Sequence, residues 1–378
     1  MKALQRRLKT IFAQIVLCMI ENDFILSPYK FEKEEGRVQW KAPSNIALVK
    51  YWGKKQNQIP ANASVSFTLD NCRTITSVVY TRLDKANNEF SFDLIFEGEN
   101  REDFKPKIQT FFERIERYIP FLKRYHFSIN TSNTFPHSSG IASSASGMAA
   151  LSLCIMDIER QMVSEMDPDF FFKKASFLAR LGSGSACRSI KGNLVQWGEH
   201  NDIMGSTNLY GIPYPYPVNE VFKSYQDTIL LVHKGQKSVS STVGHDLMHG
   251  HPFSEKRFEQ AHENLIRLRS IFAEGNLDDF IEVVESEALT LHAMMMTSIP
   301  YFILMKPNTL NIIEKIWEFR KTSKKHLCFT LDAGANVHLL YPNSEKKEVN
   351  KFIREELIAY CENGQYICDQ IGFGAKKM

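Results

Sequence analysis

Four short stretches of this chain combine chemically capable side chains with backbone that can approach a ligand closely. Asn45 to Lys54 sets Asn45, Lys50 and Lys54 at the end of an apolar run. Pro136-His137-Ser138-Ser139-Gly140-Ile141-Ala142-Ser143-Ser144-Ala145-Ser146-Gly147 is small and uncharged, and leads directly into Met148, Leu151, Leu153, Ile155 and Met156. Gly182-Ser183-Gly184-Ser185-Ala186-Cys187-Arg188-Ser189 places one arginine among hydroxyls. Leu331-Asp332-Ala333-Gly334-Ala335-Asn336 puts an acid at the end of an apolar strand, before a tight turn. Taken singly, the last three are a capped turn, a solvated arginine and a turn aspartate. Together they fit phosphoryl transfer, in which cations and backbone N–H groups cradle phosphates while a carboxylate contacts the accepting hydroxyl.

The elements around them support that reading. Tyr125, Phe127 and Ile129 alternate with His126, Ser128 and Asn130, so a strand precedes 136–147 and a helix follows it. Strand, small loop and helix in that order put unpaired N–H groups and the positive end of a helix dipole at one place, which favours an anion. No Gly-Lys-Ser/Thr follows the glycines, so the loop is not a Walker A motif. Before it, strands are predicted over 38–50, Val65–Leu69, Thr74–Tyr80 and Phe90–Phe96, and a helix over Phe104–Arg124. After it, a helix is predicted over Phe170–Leu181. Three prolines within Gly211–Pro217 mark a boundary, because they continue neither helix nor central strand. Beyond lie a strand at Thr228–His233, a polar loop to Thr242, helices near 254–274, 277–297 and 308–322, strands near 327–331 and 336–341, a helix near 346–360 and a strand near 365–371. Leu277, Phe280, Ile281, Val284, Ala288, Leu291 and Met295 keep helical spacing, so Met294–Met296 reads as core or cleft wall. Strict βαβ alternation is missing, which points to two α+β domains.

Composition narrows the function. A chain of 378 residues with 43% hydrophobic and 24% charged residues is globular and long enough for two domains. A net charge of +3 gives no broad basic field, so nucleic acid is not implied and any anion must be held by a few local cations. Seven cysteines without paired spacing read as reduced thiols of a cytoplasmic protein. Lys2, Arg6, Arg7 and Lys9 before the apolar run Ile11–Ile20 outline a signal peptide, but Glu21-Asn22-Asp23 offers no cleavage site. That run is also too short for a bilayer, which needs about 20 apolar residues. The expectation is an over-extended start, with Met19 as the first residue, or a tail. His245, His249 and His251 have spacing that could suit zinc, yet no glutamate lies between them and the cysteines are distant, so a polar loop is expected.

Ala42-Pro43-Ser44-Asn45-Ile46-Ala47-Leu48-Val49-Lys50-Tyr51-Trp52-Gly53-Lys54 resembles the N-terminal signature of the diphosphomevalonate decarboxylases of the GHMP kinase superfamily. Phe135-Pro136 with Ala142–Ala145, then Gly182–Ser189, Lys237–Thr242 and Asp332–Asn336 agree in that family's order, so the resemblance runs from about residue 38 onward. It implies an α+β, two-domain GHMP-type fold: a ribosomal protein S5 domain 2-like domain over 38–212, then a ferredoxin-like domain over 218–378, after an extension at 1–37. It implies ATP with Mg2+, and mevalonate diphosphate converted to isopentenyl diphosphate, with no nucleic-acid or membrane partner and a homodimer as in many relatives. By the same resemblance Asp332 contacts the reacting hydroxyl, Asn45 sits by the reacting centre, Lys50 adds charge and Arg188 holds the substrate carboxylate. Tyr51, Lys54, Ser183, Gly184, Ser185, Ser241 and Thr242 hold the diphosphate. Ser138, Ser139, Gly140, Ala142, Ser143, Ser144 and Ser146 take the ATP phosphates.

The chain departs from the family at His137-Ser138-Ser139, where Thr-Ala-Ala is common, at Ile141, where leucine is usual, and at Thr242, where some bacterial members carry arginine. The rival readings are a decarboxylase of the monophosphate, a mevalonate-type kinase, and an inactive nucleotide-binding relative.

Overall fold

The computed structural model describes residues 19–378 apart from Glu32, Ala86, residues 137–139, Ser164, residues 236–238 and Ser240, with the side chains of Ser241 and Thr242 also outside the description. Two long antiparallel strands, β1 (Glu35–Val49) and β2 (Ser64–Arg82), dominate the first half. β3 (Ser91–Phe96), β4 (Glu99–Asn100), α1 (Lys105–Ile115) and β5 (Tyr125–Asn133) follow, then α2 (Ser143–Met162), α3 (Pro168–Gly182), β6 (Leu194–Trp197) and β7 (Ile212–Pro213). The second half holds β8 (Gln226–Leu230), α4 (Ser241–Asp246), α5 (Ser254–Glu274), α6 (Leu277–Met296), α7 (Pro307–Ser323), β9 (Cys328–Leu331), β10 (Val337–Tyr341), α8 (Lys346–Phe352), β11 (Tyr366–Gln370) and β12 (Lys376–Lys377).

The first sheet has eight strands in the order β12-β1-β2-β5-β3-β4, with β6 added to β2 and β7 to β6. Its alternation matches the sequence reading at β5, where Tyr125, Phe127 and Ile129 are buried against α1 and α2 in one apolar cluster. The second sheet is antiparallel, ordered β11-β8-β10-β9. Numbered within that half, this is 4-1-3-2 with helices in the two crossovers, the split arrangement of a ferredoxin-like unit.

Several predicted elements differ. Val65–Leu69 and Thr74–Tyr80 are one strand, β2, whose pairing with β1 shifts register between Asn45↔Thr68 and Pro43↔Arg73. The extra residues form a bulge held from the second sheet: the carboxylate of Asp369 accepts from the N–H groups of Asp70 (2.9 Å), Asn71 (2.7 Å) and Cys72 (2.6 Å). The helix predicted over 104–124 ends at Ile115 and relaxes into a 3-10 turn before Pro120. The helix predicted to 360 loses regular α geometry after Phe352. Within 1–37, residues 1–18 lie outside the described residues, whereas Phe24 is fully buried, stacked on Phe177 with ring centroids 4.3 Å apart.

The two sheets are joined by a shared core. Ile46, Leu48, Val49, Val65 and Phe67 from β1 and β2 pack in one cluster with Phe222, Tyr225, Leu265, Phe272, Phe280 and Val284. Burial of this kind stabilises by about 25 cal/mol per Å2 of apolar surface. At its edge, Glu287 is fully buried, accepts from both terminal nitrogens of Arg257 and from Asn264 Nδ2 (2.7 Å), and accepts the Lys50 N–H at 2.8 Å. A charge from the second half thus fixes the end of β1, where the lysines of the first chemical stretch begin.

Candidate active site

The four stretches meet. A cleft of about 310 Å3 between the two halves is lined by Asn45, Lys50, Tyr51, Lys54, Gly140, Ala142, Ser143, Ser144, Ser183, Gly184, Ser185, Arg188 and Asp332. Lys107, His245, Gln58, Trp52 and Leu291 join them, and none of these five was singled out as a binding residue from sequence.

Gly140 to Ser144 forms the wall at the start of α2. Gly140 has φ +82° and Ala142, the N-cap, has φ +47°, both left-handed. Ala142 supplies no side-chain cap, so the helix start is left to backbone N–H groups and the dipole. Lys107 reaches over from α1 and its Nζ donates to Ser144 Oγ at 2.6 Å. Desolvation of its ammonium beside this wall lowers the pKa of this lysine, although the residue as a whole is exposed. Ser146 is fully buried, its hydroxyl 2.6 Å from Thr74 Oγ1, and it is not among the residues that line the cleft. Ser138 and Ser139, and the side chains of Ser241 and Thr242, lie outside the described residues.

The opposite wall is built where α3 ends. Gly184 must be glycine, since a Cβ there would sit 2.9 Å from both the Tyr51 hydroxyl and the Trp197 ring. Tyr51 is held edge-on to Trp197 at 4.7 Å, and burial raises its pKa so that it remains a phenol and a donor. Arg188 is 3% exposed. Its Nε donates to Asn45 Oδ1 at 3.3 Å and one terminal nitrogen donates to Ser64 Oγ. Asn45 is fixed in turn, its Nδ2 donating to Ser189 Oγ at 2.8 Å and to the Ser185 carbonyl at 3.2 Å. Asn45 therefore orients Arg188 besides facing the cleft. Burial lowers the Arg188 pKa while the nearby Asp332 carboxylate opposes that shift.

Lys50 and Asp332 complete the centre. Lys50 is 1% exposed, its Nζ donates to the Ala47 carbonyl at 2.7 Å, and burial brings its pKa down to about 8 against the pull of Asp332 and Glu287. Asp332 follows β9, and its carbonyl accepts from Gly334 N–H (2.7 Å) and from His292 Nε2 (3.1 Å), which pins the turn and leaves the side chain at the cleft. Lys54 Nζ lies 3.8 Å from Asp246 on a loop closed by a bridge between Lys54 and Pro60. The arrangement offers cations to polyanions from two walls and one carboxylate between them.

The three histidines separate. His245 faces the cleft, His251 contacts the Met294 carbonyl at 3.1 Å, and His249 stands outside both contacts. Among the described residues no group of three His, Cys, Asp or Glu side chains could hold a metal. No described helix is long and apolar enough to cross a membrane. Met294 and Met295 pack with Trp52, Met248 and Leu291 under the cleft. His245 carried a usable signal, three residues after the Ser241-Thr242 pair. Lys107 had none, being one more lysine in a helix.

Comparison with known proteins agrees with this geometry. Residues 42–209 match the model of the diphosphomevalonate decarboxylase-like N-terminal domain, and 228–372 that of the mevalonate 5-diphosphate decarboxylase C-terminal domain. The diphosphomevalonate decarboxylase of Ganoderma lucidum is 29% identical over 362 residues, covering 88% of this chain and 84% of that protein. Mevalonate diphosphate decarboxylase from Staphylococcus aureus superposes with a TM-score of 0.77 at 25% identity, covering 91% of this chain and 98% of that one. A relative solved in complex with MVAPP, AMPPCP and magnesium reaches 0.76 at 26% identity, covering 91% and 99%. With both domain models matched in order and the four signature stretches drawn into one cleft, the chain belongs to the diphosphomevalonate decarboxylase family.

Proposed function

We infer that this protein decarboxylates mevalonate 5-diphosphate with ATP, releasing isopentenyl diphosphate, ADP, phosphate and carbon dioxide. The observation that carries this is the placement of Asp332 and Arg188 in one cleft with two phosphate-type walls. A tertiary hydroxide is a poor leaving group. Asp332 accepts or orients the proton of that hydroxyl as its oxygen takes the γ-phosphoryl group. The carbon–oxygen bond then breaks with its electrons going to phosphate. The neighbouring carboxylate relieves the resulting positive charge: its carbon–carbon bond supplies the new double bond and carbon dioxide leaves. Arg188, pre-set by Asn45 and Ser64, holds that carboxylate through paired donors, a geometry lysine does not offer.

The diphosphate belongs to Tyr51, Lys54, Ser183, Gly184 and Ser185, with Lys50 adding charge; Ser241 and Thr242 retain this role from the resemblance alone. The ATP phosphates belong to Gly140, Ala142, Ser143 and Ser144, joined by Lys107. Beside them runs an apolar slot of about 160 Å3 lined by Leu94, Phe96, Phe104, Ile129, Met148 and Gly147, sharing Lys107, Ser143 and Ser144 with the cleft. A Cβ added to Gly147 would meet nothing within 4 Å, leaving room for a planar base, and Asn133 Nδ2 is buried there without a partner among the described residues. Asp332 is the only carboxylate among the described residues lining the cleft, so Mg2+ fits as an ion carried on the ATP phosphates with help from the Ser143 and Ser144 hydroxyls. It would neutralise charge on the transferred phosphoryl group.

The division at 213–217 is proposed with one amendment: β12 pairs with β1 (Trp40↔Lys377), so the last residues serve the first sheet. A cytoplasmic homodimer remains the proposal of the resemblance. The deciding assay incubates the protein with mevalonate diphosphate, Mg2+ and ATP. Isopentenyl diphosphate and carbon dioxide are expected; ADP without them would leave a kinase and overturn the decarboxylase.

A further inference from the structure

We propose that His245 is a substrate-binding residue, whose neutral imidazole donates its Nε2–H to a diphosphate oxygen of the substrate. The inference rests on the decarboxylase reading above and concerns a histidine that the sequence treated only as part of a metal-like spacing.

Three observations carry it. His245 lines the cleft from the C-terminal half, next to Tyr51, Trp52 and Lys54 of the N-terminal half. Its Nδ1 accepts the Gly53 N–H at 3.0 Å, which requires a lone pair on Nδ1 and so places the ring proton on Nε2. Nε2 has no hydrogen-bond partner among the described residues, whereas the ring itself is clamped, with centroids 4.3 Å from Tyr51 and 4.5 Å from Trp52. A clamped ring with one nitrogen satisfied and a donor left over is pre-organised for an acceptor in the cleft.

The electrostatics support the same state. Burial and the positive charge of Lys54 depress the His245 pKa to about 3, so the ring stays neutral throughout the working range. A second cation beside Lys54 would repel it; a neutral donor adds a hydrogen bond to the same phosphate without that cost. The fixed tautomer also gives direction. Gly53 is adjacent to Lys54, so the loop that carries the cation orients the histidine as well. Gly244, just before His245, lies close enough to Trp52 that a Cβ there would come within 2.6 Å of the ring, which keeps α4 seated against this wall.

The test compares His245→Phe, which keeps a packed ring, with His245→Gln, which keeps a donor near Nε2. A hydrogen bond to a charged oxygen predicts that His245→Phe raises KM for mevalonate diphosphate by roughly 10- to 100-fold with KM for ATP unchanged. His245→Gln recovers most of that loss. If the ring only packs, the order reverses, with Phe tolerated and Gln defective, and the proposal is overturned. A reading on the unaltered protein uses 15N-histidine labelling, with His245 assigned by the variants. The Nε2–H tautomer is expected, with its nitrogen signal shifted on adding mevalonate diphosphate alone. A proton on Nδ1, or a signal unmoved at saturating ligand, overturns the proposal even where a variant fails to fold. Wild-type protein that produces no isopentenyl diphosphate defeats the decarboxylase reading itself; normal turnover with indifferent variants defeats only this inference.

Discussion

The two Gly/Ser loops of the cleft, Gly140–Ser144 and Gly182–Ser185, are alike in composition and different in setting. The first precedes a long helix, α2; the second closes α3 and leads at once into a short 3-10 helix, Gly184–Ser189, with Ser183 as its N-cap. At a helix start the backbone itself attracts an anion, and an absent side-chain cap leaves that attraction available. The second loop has only a six-residue 3-10 helix behind its N–H groups, against the twenty residues of α2, and it also borders the carbonyl end of α3, so side chains supply most of the charge there. Among the described residues lining the cleft, Arg188, Lys54, Lys50 and the Tyr51 hydroxyl stand on the substrate side, and Lys107 reaches the first loop. The loops approach one another, with Ser144 Oγ 3.3 Å from Ser183 Oγ, so two phosphate sites of different construction share a border. Backbone cradles suit the common phosphate chain of a nucleotide, whereas placed side chains suit a substrate that must be distinguished.

The contrast can be broken in several ways. Asp332 belongs to neither loop, and Asp332→Asn should lower kcat by about 1000-fold while calorimetric ATP binding persists. Loss of ATP binding in that variant would assign Asp332 to the nucleotide wall instead. Arg188→Lys keeps the charge and loses the paired geometry. It should raise KM for mevalonate diphosphate by about 100-fold and leave KM for ATP nearly unmoved, and equal effects on both would erase the distinction between the loops. Lys50 sharpens it through pH. Its pKa is depressed to about 8, so the cation is present below that value and lost above it. kcat/KM for the anionic substrate should fall about tenfold between pH 7 and 9, as a single-proton limb. Lys50→Met should flatten the limb, and a limb that survives belongs to another group. The smallest effect is expected at the backbone cradle. Gly140→Ala forces a side chain to φ +82° and should weaken ATP binding by about fivefold, with substrate affinity retained.

How much of this was legible depended on range. The 3.6 and 2 periodicities record which face of an element meets the core, so α5, α6 and β5 read almost to their ends. β2 did not, because Asp70-Asn71 looks like a turn locally and is kept as a bulge by Asp369, about three hundred residues away. Ser146 read as a loop hydroxyl, but one further turn of helix carries it to Thr74. Such contacts leave no trace in neighbouring residues.

By itself the sequence determined the chemistry: small loops, lysines, one arginine and one strand-end aspartate, in an order that a phosphoryl-transfer decarboxylase uses. Those features are residue types and short spacings, which chain connectivity preserves. Only the tertiary structure decided which helices each loop would border, and that Asn45 would orient Arg188. It also brought Lys107 and His245 into the cleft, from a helix of the first half and a short helix of the second. The physical reason is that helix direction and the packing of one half on the other set the sign of the local field and the reach of each side chain, and both are properties of the assembled core.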